Sequence, residues 1–317
     1  MKVAILGATG SIGPVAARAL IDRGHTVRAV ARDESRLAQS CPGAEPFAAD
    51  LADPKQASAA LAGMDAALFS IGLPYPDFGR YPLLTRNAVD AASAAGVREF
   101  LLIGTIYPYG LGRTARIAED HPREPHTRKG RARNEQLDIV LDAHGATLRT
   151  AALLLPDFYG PNLQNTYLTA VFDGAVSGRA APVVGPVDRP HEFVFVPDVG
   201  PVIVDLFEDP FAFDGSAYHL GGAGTIVPRA MFERAYEIGG HKPRLIVAGA
   251  TLQRILGVAN PVMREMVEMN YLWTEPLVLD DSKLARVIGP LRKTSYDDGI
   301  RAGVEAARTT MREKDSV

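Results

Sequence analysis

Short apolar runs alternate with amphipathic, alanine-rich stretches through the first half of the chain. The first run, residues 2–6, passes into Gly7 and then into a helical stretch over about 12–23 that Gly24 stops. Continuous apolar runs of this length, ended by glycine and separated by helices, predict parallel strands buried on both faces. The alternation recurs with strands at Thr26–Ala31, around Phe47-Ala-Ala, at Asp65–Gly72 and at Arg98–Thr105, and with a helix at about Thr85–Ala95 that Gly96 stops. Together these predict an α/β fold: a doubly wound parallel Rossmann sheet.

Beyond residue 161 the pattern is more interrupted. It predicts a helix at Asn162–Ser177, a Gly/Pro-punctuated stretch at Gly178–Pro190, a strand at 193–196 and a helix from near Pro197. A short strand at Ala217–Leu220 and a helix at about Pro228–Ile238 follow. Residues 251–273 read as a helical pair broken at Asn260-Pro261, because proline lacks a backbone donor. Met263, Met266, Met269 and Trp273 stripe one side of the second piece, which suits either core packing or an adaptable lid over a flat, apolar substrate. A helix at about Tyr296–Arg308 closes the chain, with 311–317 expected to fray. The implied organisation is a Rossmann core (1–161 and 191–220), a small discontinuous C-terminal substrate-binding region (162–190 and 221–292) and a terminal helix and tail (293–317).

Composition narrows the function. Of 317 residues, 34 are basic and 37 acidic, and a net charge of −3 gives no electrostatic case for nucleic acid or an anionic membrane. No apolar stretch approaches the roughly eighteen residues of a membrane span, and the glycine-rich signal starts too early for a signal peptide, so a soluble, cytoplasmic protein is expected, as monomer or homodimer. The single cysteine, Cys41, excludes an intramolecular disulfide and a cysteine-rich metal site; no metal is expected.

The chemistry concentrates where strands end. Gly7-Ala-Thr9-Gly10-Ser11-Ile12-Gly13 lies between strand and helix, where unpaired N–H groups can cradle a pyrophosphate. The second strand ends in Ala31-Arg32, and a guanidinium there suits a 2′-phosphate, favouring NADP(H) over NAD(H) despite the adjacent Asp33. Asp50 sits where adenine can be read, or serves as a cap, with Leu51 beside it. Ser70, Ile71 and Gly72 end the fourth strand on the ligand side.

Gly7-Ala-Thr-Gly10-Ser-Ile-Gly13 resembles the cofactor turn of the extended and atypical short-chain dehydrogenases/reductases, a group that includes sugar-nucleotide epimerases and dehydratases. The likeness extends through Asp50-Leu51, through Gly104-Thr105-Ile-Tyr107-Pro-Tyr109-Gly110, through Pro156-Asp157-Phe158-Tyr159-Gly160-Pro161 and through Phe193-Val-Phe-Val-Pro-Asp198-Val. It implies cofactor contacts from these segments, Pro156 included, and a hydrogen bond from the Thr105 hydroxyl to a substrate carbonyl.

One feature of that family is missing. Its members usually carry Tyr-x-x-x-Lys, yet none of the ten tyrosines here is followed four residues later by one of the seven lysines. Anchored on Glu135, the pair falls on Thr127 and Arg131. An alkyl hydroxyl is a far weaker acid than a phenol of pKa near 10, and an arginine stays protonated. A proton for catalysis would have to come from Tyr107, Tyr109, His126, His191, a water or the substrate. The resemblance therefore implies an NADPH-dependent reductase of a ketone, similar to atypical ketoreductases that act on aromatic polyketides, with a small, apolar or aromatic substrate. An epimerase, dehydratase or isomerase that recycles its cofactor, and a non-catalytic NADP(H) sensor, are the alternatives.

Overall fold

The computed structural model describes residues 1–161, 163, 168–258 and 261–315. The strands are β1 (Lys2–Leu6), β2 (Thr26–Ala31), β3 (Glu45–Ala48), β4 (Ala66–Phe69), β5 (Glu99–Thr105), β6 (Arg149–Leu155), β7 (Asp157–Tyr159), β8 (Ala181–Val184), β9 (His191–Phe195), β10 (Ala217–His219), β11 (Thr225–Ile226) and β12 (Leu245–Ala248). The helices are α1 (Gly13–Asp22), α2 (Leu37–Ser40), α3 (Pro54–Leu61), α4 (Tyr81–Ala95), α5 (Arg128–Asp142), α6 (Leu168–Ser177), α7 (Val196–Glu208), α8 (Pro228–Gly239), α9 (Ala250–Leu256), α10 (Pro261–Val267), α11 (Tyr271–Thr274), α12 (Ser282–Ile288) and α13 (Tyr296–Asp315).

Seven parallel strands form the central sheet in the order β10-β6-β5-β4-β1-β2-β3. This is the doubly wound Rossmann arrangement that the apolar runs predict. Successive side chains of a strand face opposite ways, and β1 divides accordingly. Ala4 and Leu6 join one buried cluster, with residues of α3, α4 and α5, while Val3 and Ile5 join the other, with α1 and α7. The strand order reverses beside β1, so the ends of β1 and β4 open the crevice where ligands collect in such sheets.

The C-terminal region is built differently from the expectation. The strand read at 193–196 belongs to a second sheet, β11-β9-β7, rather than to the Rossmann core, and Val196 already begins α7. The Tyr296 hydroxyl holds the backbone of Phe193 from one side, accepting its N–H at 3.0 Å. β8 and β12 pair as a third, two-stranded sheet inside segments whose prolines and glycines hide any strand period. The terminal helix reaches Asp315 instead of fraying from 311, because Ile300, Val304 and Ala307 are buried against α6 and α8 and Arg308 caps the Ile238 carbonyl at 2.7 Å. The helix predicted from Asn162 starts at Leu168; residues 162 and 164–167, like the break at Asn260, lie outside the described residues. Met269 is core, packed with Ile106, Tyr107 and Leu272, and Trp273 packs with Phe193; the Met263 side chain lies outside the described part.

One buried carboxyl ties β9 to the chain after α11. Glu192 accepts the Leu279 N–H at 2.9 Å, and burial pushes its pKa up to about 7. A carboxyl whose folded pKa exceeds its unfolded value of about 4.3 favours the folded state less as pH rises through both values. Stability should therefore decline between about pH 4.3 and 7 by this contribution. Glu192→Gln keeps an acceptor for Leu279 and removes the titration. Melting curves at pH 5 and pH 8 should show a smaller loss on raising pH in the variant than in the parent; equal losses would place the effect elsewhere.

Candidate nucleotide site and catalytic cleft

The turn after β1 is held by its own backbone. The N–H groups of Gly7 and Ala8 both donate to the Val30 carbonyl at 3.0 Å, and Gly10 N–H donates to the Gly7 carbonyl at 3.0 Å. Gly7 has φ +92°, and a Cβ there would lie 2.7 Å from Ile71 Cα. A Cβ at Gly13 would lie 2.3 Å from the Ala8 carbonyl oxygen. These two glycines therefore permit close strand–helix packing, whereas Gly10 is crowded only by the Gly7 oxygen, at 3.3 Å.

Thr9 and Ser11 complete the turn, and Ile12 is buried at the helix start. No side chain caps α1 there, while Asp53 caps α3 and Thr127 caps α5. An uncapped helix start beneath a glycine turn leaves backbone N–H donors for a dinucleotide diphosphate, and with the close backbone packing at Gly7 and Gly13 the residues present fit one.

The second strand's end distinguishes its two charged residues. The Asp33 carboxylate accepts from both the backbone and the hydroxyl of Ser35, contacts that hold its pKa below the ordinary value. Arg32 is exposed and has no partner among the described residues. Asp50 accepts the Ala52 N–H at 3.0 Å, so the cap of α3 belongs to Asp53 instead. The Leu51 side chain is buried in the core, leaving its backbone toward the crevice rim, where Asn87 donates to its carbonyl at 2.8 Å. Ser70 donates to the Leu6 carbonyl at 3.3 Å, Ile71 covers Gly7, Gly72 is exposed, and Pro156 is buried at the end of β6.

The candidate acids fare unequally. Thr105 stands half-buried at the end of β5, accepting the Tyr107 N–H at 3.4 Å. The Tyr107 ring stacks on Phe78 at 6.3 Å, and its hydroxyl lies against that of Tyr75. Burial raises both phenols, Tyr75 to about 12. Tyr109 is removed from candidacy: it is buried, and its hydroxyl donates to His219 Nε2 at 2.6 Å. His219 Nδ1 faces the carbonyls of Ile117 and Asp280, which fixes that nitrogen as the donor, and burial keeps the ring below its usual pKa. Thr127 accepts the Gly130 N–H at 2.9 Å as the N-cap of α5. Arg131 is exposed, one turn on, and donates to the His126 carbonyl at 2.9 Å.

Other residues converge here that sequence reasoning overlooked. Asp157, at the start of β7, bonds His191 Nε2 at 3.0 Å, and His191 stacks on Trp273 with ring centres 4.5 Å apart. The Asp157 charge adds to burial in raising Tyr75, Tyr107 and Tyr271. Tyr271 packs edge-on against His126, with centres 4.5 Å apart.

Lys129 has no exposed surface. Its Nζ meets Glu265 Oε2 at 2.5 Å, the Glu265 carbonyl at 3.0 Å and Glu268 Oε1 at 2.9 Å, docking α10 on the start of α5. Arg133, also buried, lies 4.2 Å over the Tyr81 ring and donates to the Ile103 carbonyl at 3.4 Å. A polar Asp157 directly after Leu153-Leu-Leu-Pro156 was the one available signal; Tyr271 and Glu265 carry none, being remote in sequence from what they touch.

Residues 7–138 match a family model described as NAD(P)H-binding. Over its full length the chain superposes on solved structures. These include DesIV, a dTDP-glucose 4,6-dehydratase from Streptomyces venezuelae with NAD and TYD bound (TM-score 0.80, 17% identity, 99% of this chain and 98% of that one). They also include a UDP-glucuronic acid 4-epimerase from Bacillus cereus in complex with NAD (TM-score 0.77, 16% identity, 98% and 99%). The chain shares its fold with these NAD-bound structures. Among characterised sequences, the sterol demethylase protein B of Methylococcus capsulatus is 28% identical over 282 residues, covering 83% of each chain.

The carboxyl ends of β1, β4, β5 and β6 lie along one edge of the parallel sheet, and Gly7, Thr105 and Pro156 stand at or just past three of them. Among the described residues no helix is long and apolar enough to cross a membrane, and no cluster could hold a metal ion. Gly10→Ala, whose Cβ would lie 3.3 Å from the Gly7 oxygen and 3.6 Å from the Ser70 oxygen, should lower the unliganded melting temperature only modestly but should sharply reduce stabilisation by dinucleotide. For the parent that stabilisation is about 2.7 kcal/mol at a ligand concentration a hundredfold above Kd. A variant that keeps the ligand-induced shift would show that the diphosphate does not cross Gly10.

Proposed function

We propose that the protein is a NAD(P)H-dependent oxidoreductase that reduces a carbonyl on an apolar, ring-bearing small molecule, with NADP(H) preferred to NAD(H). The aromatic contacts beside Asp157 carry this reading: His191 bonds Asp157 and stacks on Trp273, Tyr271 packs on His126, and Tyr75 and Tyr107 pack on Phe78, while the nearby cations Arg128 and Lys129 are bound to Glu265 and Glu268. Such a cleft favours a flat ring system over a sugar diphosphate, which would need free cations. The relative named as a sterol demethylase agrees in kind, a sterol being an apolar fused-ring compound.

The Gly7–Gly13 backbone would hold the diphosphate, Asp50 the adenine and Arg32 a 2′-phosphate. A bound reduced nicotinamide supplies the hydride. The Thr105 hydroxyl is placed at the strand end to donate to a carbonyl oxygen as charge develops on it. Preference for NADP(H) follows from the contrast of a free Arg32 with an Asp33 engaged by Ser35.

A second reading, an epimerase or dehydratase that recycles its cofactor, draws on the full-length likeness to enzymes of those kinds. The two separate on cofactor balance. A reductase consumes NADPH in proportion to product when offered aromatic or polycyclic ketones; turnover with no net loss of NADPH would establish the second reading. Arg32→Ala should raise the Kd for NADPH about tenfold or more, the scale of one charge-assisted hydrogen bond, and leave that for NADH unchanged. Equal effects on both cofactors would overturn the preference.

A further inference from the structure

We infer that Tyr271, carried by α11 in the substrate region, donates the proton in this reduction, in place of the phenol that α5 lacks. The inference rests on the reductase reading above.

The phenols around the cleft can be separated by what their hydroxyls already do. Tyr109 is bonded to His219, Tyr81 accepts the Leu73 N–H at 3.0 Å, and Tyr75 and Tyr107 lie against each other. The Tyr271 hydroxyl is buried and, among the described residues, meets no partner in full hydrogen-bond geometry. It lies beside the Thr127 hydroxyl, at the position where the sequence places the missing tyrosine, and that neighbour favours the ionised phenol. Thr127 is suited to the role. Its oxygen already accepts the Gly130 N–H, so its own proton is left to point at Tyr271.

A buried phenol without a partner costs stability, since its desolvation is uncompensated. Nothing in the packing requires the oxygen, because the ring contacts with His126 and the surrounding apolar residues would be made equally well by phenylalanine. The hydroxyl is therefore placed for an interaction that the folded chain alone does not provide. In the reduction, the carbonyl carbon gains hydride and its oxygen becomes an alkoxide. That oxygen takes the Tyr271 proton: one O–H bond breaks at the phenol and one forms on the product. The phenolate accepts the Thr127 O–H as a hydrogen bond until a solvent proton restores it.

Tyr271→Phe tests this through three readouts. The variant should melt at or above the parent temperature and should keep the full NADPH-induced shift, while turnover falls by about a hundredfold or more, the scale of acid–base catalysis. Ultraviolet titration of the parent should show one phenol whose ionisation moves to lower pH on binding the cationic oxidised cofactor, relative to the free protein, and Tyr271→Phe should lack that cofactor-induced shift. Turnover within about tenfold of the parent, or a cofactor-induced phenol shift that persists in the variant, would overturn the assignment. A variant that loses the cofactor shift or melts well below the parent would make Tyr271 structural and overturn it too. A parent that consumes no NADPH with any ketone fails the reductase reading instead, and the titration then decides on Tyr271 by itself.

Discussion

A buried ammonium group fixes the relation between the Rossmann core and the segment that closes over it. Taking a lysine out of water costs several kcal/mol, and attraction to carboxylates offsets that only in good geometry with the remaining protons satisfied. Lys129 meets the condition with two glutamates and a backbone carbonyl, all from α10 or the residue after it. Losing either partner would leave charge buried, so α10 has one position on α5. The chain continues directly from α10 into Tyr271 and Trp273. What those two residues touch, Thr127, His126 and His191, is thereby set by an ion pair that takes no part in chemistry itself.

The nucleotide side depends on a different constraint, the close approach of backbone to backbone. At Gly7 and Gly13 any side chain would collide with Ile71 or Ala8. The packing leaves the start of α1 pointing at the crevice without a side-chain cap, in contrast with α3 and α5. The start of α1 is left open where a diphosphate fits, whereas α3 and α5 are closed by Asp53 and Thr127.

These two constraints were not equally visible in the sequence. The Rossmann half was legible because local pattern decides it: apolar runs buried on both faces, glycine stops and a glycine-rich turn all act within a few residues of one another. The second and third sheets were not, since β8 and β12 are short, interrupted by proline and stable only through each other. Gly7–Gly13 and Thr105 were singled out from local motifs, and Thr127 as a departure from one. Tyr109 was misjudged because its partner, His219, lies on another strand. Asp157, Glu265 and Tyr271 gain their meaning only from residues that the fold brings to them.

Placing the acid on the closing segment has a physical consequence. A phenol on α5 would be part of the core and present whether or not substrate is bound. A phenol on α11 is placed by the contacts of α10 and Glu268 with Lys129, and in that arrangement its hydroxyl is shielded from water. Exclusion of water strengthens each electrostatic interaction that a developing alkoxide makes. The same geometry that delivers the proton then creates the medium in which Thr105 and Thr127 act most strongly on the charges that form. Absence of a tyrosine at the Thr127 position thus need not leave the site without an acid; with the proposed role of Tyr271, proton delivery depends on the Lys129 ion pair that positions α10.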